Sequence, residues 1–238
     1  MPLDVPLGSL GGSGAKYLLK DALTGPTVHS FSFGRATDRA YVGDWDGDGR
    51  DTLAVRRGDA WSFSNALRGG STSMTARIGL PDDVVLMGDW DGDGVDTPVV
   101  RSGNRYHFHD SLRAGEPVRS LTFGKPTDVV VVGDWDGDGR DSLGLRRGTR
   151  FLLKDSLAPG KVDVDVAFGR SSDVVYVGDW DGDGADGPAV RRGSTYVLSD
   201  AFRRGAPTWT IGHGRSDDTT LVGDWDGDGR DTLGVRRR

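Results

Sequence analysis

Five short strings carry the residues that could do chemistry. Gly-Asp-Trp-Asp-Gly-Asp-Gly begins at Gly43, Gly88, Gly133, Gly178 and Gly223, each start 45 residues after the last. With Asp44 as position 1 of the first loop, carboxylates stand at positions 1, 3 and 5. These are Asp44, Asp46 and Asp48; Asp89, Asp91 and Asp93; Asp134, Asp136 and Asp138; Asp179, Asp181 and Asp183; Asp224, Asp226 and Asp228. Acids on alternate residues of a tightly coiled loop converge on one point, and glycines at positions 4 and 6 permit the positive φ that coiling requires. Position 7 varies (Arg50, Val95, Arg140, Ala185, Arg230), which suits a residue contributing its backbone carbonyl. A fourth acid follows at position 8: Asp51, Asp96, Asp141, Asp186 and Asp231. Position 9 includes Gly187, which has no side chain, so position 8 is expected to complete each site, directly or through water. Hard oxygen ligands in this number favour calcium, about five ions per chain.

The charge distribution agrees. These loops hold 20 of the 36 acids, leaving 16 against 30 bases elsewhere. Four carboxylates within a few ångströms repel unless protonated or bridged by a cation. Five bound dications would move the net charge from −6 to +4. All acids but Glu116 are aspartate and 25 of the bases are arginine, a bias toward loops over helices. Cysteine is absent, which excludes disulfides, zinc-thiolate sites and thiol catalysis. No apolar run suits membrane insertion, and scarce lysine with a negative net charge argues against nucleic acid.

The elements that must position the loops follow from the repeat. Val129–Val132 enters the third loop, Ser142–Arg147 leaves it, Arg150–Leu157 follows a glycine turn, and Val162–Gly169 alternates apolar with polar. Four short strands per 45 residues describe a propeller blade. Residues 16–34 match the second half of a unit and residues 219–238 the first half, so joining them makes a complete blade. The expectation is an all-β, five-bladed propeller with four antiparallel strands per blade, spanning residues 16–238. Its ring is closed by the N- and C-terminal half-blades. Residues 1–15, containing Gly-Ser-Leu-Gly-Gly-Ser-Gly, read as a tail or as a linker to something upstream.

The motif DxDGDGxD, once per blade and preceded by Phe-Gly as in Phe33-Gly34 and Phe123-Gly124, resembles FG-GAP/VCBS-type repeats. Such repeats build calcium-binding propellers of integrin α-subunits, fungal lectins and secreted bacterial proteins. The resemblance covers all but the N-terminal tail. It implies structural calcium ions, ligands at positions 1, 3, 5 and 7, and a secreted or cell-surface location. The family places its last aspartate at position 9, whereas this chain has it at position 8.

Other residues allow two readings each. Trp45, Trp90, Trp135, Trp180 and Trp225 at position 2 are either platforms for sugars or rings packed against the neighbouring blade, and a large ring beside a tight loop favours packing. Tyr17, Trp61, Tyr106, Phe151 and Tyr196 start the third strands and read as core. The pairs Arg56-Arg57, Arg146-Arg147, Arg191-Arg192 and Arg236-Arg237 form either a basic ring for anionic polymers or, on the favoured reading, one brace for the Asp loops and one solvated residue. No nucleophile elbow, HExxH or phosphate-binding loop occurs, so no enzyme activity is expected. The expected function is a non-catalytic, lectin-like module recognising a glycan or surface polymer, with Arg105, His107 and His109 as candidate contacts. A protein-interaction or structural domain of a larger protein is the alternative.

Overall fold

A computed structural model describes residues 9–11, 16–70, 72–113, 115 and 117–237. It is all-β: 21 strands among the described residues fall into five sheets around a central channel. The short N-terminal strand β1 (Ser9–Gly11) precedes β2 (Lys16–Leu19) and β3 (His29–Ser32). Blade 1 comprises β4 (Arg39–Gly43), β5 (Thr52–Arg57), β6 (Ala60–Phe63) and β7 (Met74–Arg77). Blade 2 comprises β8 (Val84–Gly88), β9 (Thr97–Ser102), β10 (Arg105–Phe108) and β11 (Arg119–Thr122). Blade 3 comprises β12 (Val129–Gly133), β13 (Ser142–Arg147), β14 (Arg150–Leu153) and β15 (Val164–Ala167). Blade 4 comprises β16 (Val174–Gly178), β17 (Gly187–Arg192), β18 (Thr195–Leu198) and β19 (Trp209–Gly212).

Blade 5 joins the two ends of the chain. Its order is β20 (Thr219–Gly223), β21 (Thr232–Arg237), β2, β3, with Tyr17 opposite Arg236 and Leu18 opposite Val235. The ring therefore closes through backbone hydrogen bonds, and the fold is a five-bladed propeller. Within residues 1–15, Ser9–Gly11 pairs antiparallel with β4, Ser9 facing Tyr41, and adds a fifth strand to blade 1. The remainder of that stretch lies outside the described residues.

The apolar core sits between blades. Strands one residue in two send side chains to each face, and both faces of a blade's inner strands meet a neighbour, as the continuous burial of Thr52–Arg56 shows. Five apolar clusters result, one per blade interface. At the interface of blades 3 and 4, for example, Val131, Phe151 and Leu153 meet Val175, Val190 and Phe202. A small hydrophobic fraction, 35% of residues, suffices because each apolar residue serves two sheets.

One glycine shows how tightly the inner strands approach. A Cβ on Gly43 would collide with the Asp96 carboxylate of the next blade and come within 2.8 Å of Trp45. No helix is long and apolar enough to cross a membrane among the described residues.

Candidate metal centres

Each Asp loop links the first strand of a blade to its second, at one rim of the propeller. Asp44 at position 1 organises the loop: its Oδ1 accepts N–H bonds from Asp46 (3.2 Å), Gly47 (2.8 Å) and Asp48 (3.3 Å), and its Oδ2 accepts one from Gly49 (2.7 Å). The coil needs φ of +74° at Gly47 and +80° at Gly49, values open to glycine at little cost. Asp89, Asp134, Asp179 and Asp224 gather their own loops in the same way.

The outcome is a set of five acid clusters. Within each, one oxygen from positions 1, 3 and 5 lies within 4.8 Å of the others. Ligands 2.3–2.6 Å from one calcium ion span about that distance, so the donor set fits a hard cation of calcium's size. Burial, followed by repulsion from positions 5 and 1, raises the Asp91 and Asp136 carboxyls above the ordinary range. Asp181 is raised by burial and Asp183. Among the described residues, no arginine or lysine forms an ion pair with these carboxylates.

The position-8 acids go elsewhere. Asp51 Oδ2 accepts the N–H of Asp224 in the preceding blade (2.9 Å), and Asp51 N–H donates to the Asp224 carbonyl (2.7 Å). Asp96, Asp141, Asp186 and Asp231 make the same reciprocal pair with Asp44, Asp89, Asp134 and Asp179. All five line the central channel, a cavity of about 180 Å³. They are thus staples between blades and are absent from the clusters formed by positions 1, 3 and 5. Desolvation, with repulsion from neighbouring acids, raises Asp51 and Asp141 to about 7 and holds Asp96, Asp186 and Asp231 well above the usual carboxylate range. Their accessibility to the channel is partial, since each is densely surrounded while facing it.

Position 7 reaches across blades too. The Arg140 side chain lies where a Cβ on Gly92 of the preceding loop would meet it at 3.0 Å, and Arg50 covers Gly227 likewise. Position 4 therefore disfavours a side chain by φ in every loop, and in these loops the neighbouring arginine crowds it as well.

The tryptophans at position 2 pack between blades. Trp45, Trp90, Trp180 and Trp225 are buried, and Trp135 is half-buried against Phe202 of the next blade. Trp90 and Trp180 donate to the carbonyls of Thr97 (2.8 Å) and Gly187 (3.0 Å). They offer no exposed sugar platforms. The third-strand aromatics are likewise core, each buried.

Neither arginine of a pair braces the Asp loops. Both lie at the opposite rim. The first is buried and bridges blades: Arg56 donates to the carbonyls of Gly58 (2.7 Å), Asp83 (2.7 Å) and Leu80 (2.5 Å), with its guanidinium 5.4 Å from the Trp61 ring centroid. Arg146, Arg191 and Arg236 repeat the bridge. The second meets an acid ahead of the first strand: Arg57–Asp38, Arg147–Asp128, Arg192–Asp173 and Arg237–Asp218 form two-point pairs. The guanidinium partner contributes to holding each of these aspartates below the ordinary range, against the effect of burial. The sequence signal for these pairs was the 45-residue recurrence of Asp38, Asp128, Asp173 and Asp218.

Arg105 and His107 lie on β10, where His107 Nδ1 is hydrogen-bonded to Ser120 Oγ at 3.0 Å; His109 follows β10. A separate groove of about 350 Å³ lies at the Asp-loop rim between blades 5 and 1, lined by His29, Asp48, Arg50, Asn65 and Arg68, among others.

No family model and no curated protein matches the chain. Among solved structures it is similar to a Photorhabdus luminescens Tc holotoxin pore, at 14% identity and a TM-score of 0.50, over 98% of this chain and 14% of that one. The likeness concerns the fold, and the present chain spans a small part of the toxin chain.

Proposed function

We propose that this protein is a non-catalytic, calcium-stabilised binding module of FG-GAP/VCBS type, acting in a secreted or cell-surface setting. The carrying observation is the five-fold convergence of three carboxylate oxygens within 4.8 Å. Calcium would neutralise those acids and tie each loop down; millimolar extracellular calcium suits loops of this ligand class. Positions 1, 3 and 5, with the position-7 carbonyl, would hold the ion.

The target in this reading is a glycan or surface polymer. The groove at blades 5 and 1 supports it, since carboxylate, amide and guanidinium groups are the chemistry that recognises sugar hydroxyls. A glycan array probed with folded, calcium-loaded protein tests this. Binding lost in Arg68→Ala supports the groove, and silence across the array removes the glycan reading. The alternative, a structural or protein-interaction propeller, is favoured by one observation: both arginines of each pair are engaged within the ring.

A further inference from the structure

A second recurring residue follows the third strand of each blade, and in blade 1 it reaches the acid loop. The residue at the start of the loop after the third strand is Asn65 in blade 1, Asp110 in blade 2, Asp155 in blade 3, Asp200 in blade 4 and Asp21 in blade 5. In blade 1, Asn65 Nδ2 lies 2.5 Å from Asp46 Oδ2, so this residue reaches the position-3 carboxylate of its own blade. In blades 3 and 4 the equivalent carboxylates are aspartates with a buried oxygen, Oδ1 of Asp155 and Oδ1 of Asp200, that has no hydrogen-bond partner among the described residues. A buried, unpaired carboxylate oxygen is costly and calls for a ligand. Burial, and then Asp181, Asp183 and Asp179 of its blade's loop, raise the Asp200 carboxyl. The Asp155 carboxyl is raised by burial first, then by Asp163 outside the loop, and also by Asp136 and Asp134 within it.

We propose that the ion site of each blade is completed by this residue of the third-to-fourth-strand loop, and that position 8 is not a ligand. The proposal rests on the calcium reading above. Asp155 and Asp200 supply a fourth carboxylate, as does Asp110, whose charge is felt at Asp91. Asn65 supplies a neutral amide oxygen after turning its amide around. Asp21 is shared with His29, whose Nε2 lies 3.0 Å from Asp21 Oδ1. Because affinity follows ligand charge and rigidity, blades 2, 3 and 4 form the tighter class and blades 1 and 5 the weaker.

Calcium titration of the full chain by calorimetry tests this. The double variant Asp155→Ala/Asp200→Ala is expected to weaken two sites by about tenfold or more and leave the others unchanged. Asn65→Asp is expected to tighten the blade 1 site, an outcome that misfolding cannot imitate. Asp141→Asn is expected to leave affinity in place, because the asparagine oxygen still accepts the Asp89 N–H. If wild-type protein binds no calcium, the calcium reading falls and this inference with it. If wild-type protein binds calcium and neither Asp155→Ala/Asp200→Ala nor Asn65→Asp alters any site, the inference falls alone. Loss of a site in Asp141→Asn would restore position 8 as the ligand.

Discussion

The two rims of this propeller face the same electrostatic problem and solve it differently. At the rim of the second-to-third-strand turns, the acid ahead of the first strand has a guanidinium built into its blade in blades 1, 3, 4 and 5. Arg147, for example, contacts both Asp128 oxygens at 2.6 Å. At the Asp-loop rim the acids are denser and no arginine or lysine of the described residues pairs with them. One rim carries its own counter-charge, and the other, on the calcium reading proposed above, borrows it from solution. Stability of the first should be indifferent to chelators, and stability of the second should depend on them.

The largest expected effect breaks the borrowed half. A site at 100-fold its dissociation constant stabilises by about 2.7 kcal/mol if the unfolded chain does not bind. Each kcal/mol is worth about 2–4 °C in a chain of this size. Five sites therefore predict that EDTA lowers the melting temperature by roughly tens of degrees and that excess calcium restores it. Scanning calorimetry with and without chelator measures it. An unchanged melt would mean that the acid loops hold themselves without a cation.

Much of this contrast was legible in the sequence, and its omissions have a physical cause. A 45-residue period with turn residues between alternating strands determines the blade, and complementary half-units at the two ends determine closure. The role of position 8 between blades is not legible, because loop spacing is a local signal, whereas Asp51 finds its hydrogen-bond partner at Asp224, on a loop that lies beside it only after the ring has closed. Likewise, adjacent arginines on a strand point to opposite faces. Arg56 therefore enters the inter-blade seam while Arg57 meets Asp38, a division that composition alone does not reveal. Asp155 and Asp200 did leave a trace, since an Asp or Asn recurs at that place in every unit.

The self-sufficient rim has a weak point of its own, which sharpens the comparison through pH. His213 follows the outer strand of blade 4, where the other units have Phe33, Ile78, Phe123 and Phe168. It is buried, its Nε2 has no partner among the described residues, and burial with the nearby Lys20 charge lowers its pKa to about 4 from an ordinary 6.5. Between those values the unfolded chain holds the proton that the folded chain refuses. Stability is therefore present above the unfolded value and is lost as pH falls toward 4. His213→Phe should remove this loss, gaining about 2–3 kcal/mol over wild type at pH 4 and far less at neutral pH. Urea melts of both proteins across that window measure the difference, and a gain that does not vary with pH would show that the histidine is not a neutral core residue.

The smallest effect concerns a place where the built-in solution is incomplete. Blade 2 carries Ser102 where blades 1, 3, 4 and 5 carry the second arginine, so Asp83 receives no guanidinium from that position. Asp83 otherwise resembles its counterparts, its Oδ2 accepting the Leu80 N–H at 2.7 Å just as Asp128 Oδ2 accepts that of Lys125. Ser102→Arg should install the missing pair and raise the melting temperature by about 1–3 °C, with added salt eroding the gain. The same increment should appear in EDTA, because the new pair lies on the rim that needs no metal. An increment seen in calcium and absent in chelator would show that the two rims are coupled, and the division of labour between them would have to be abandoned.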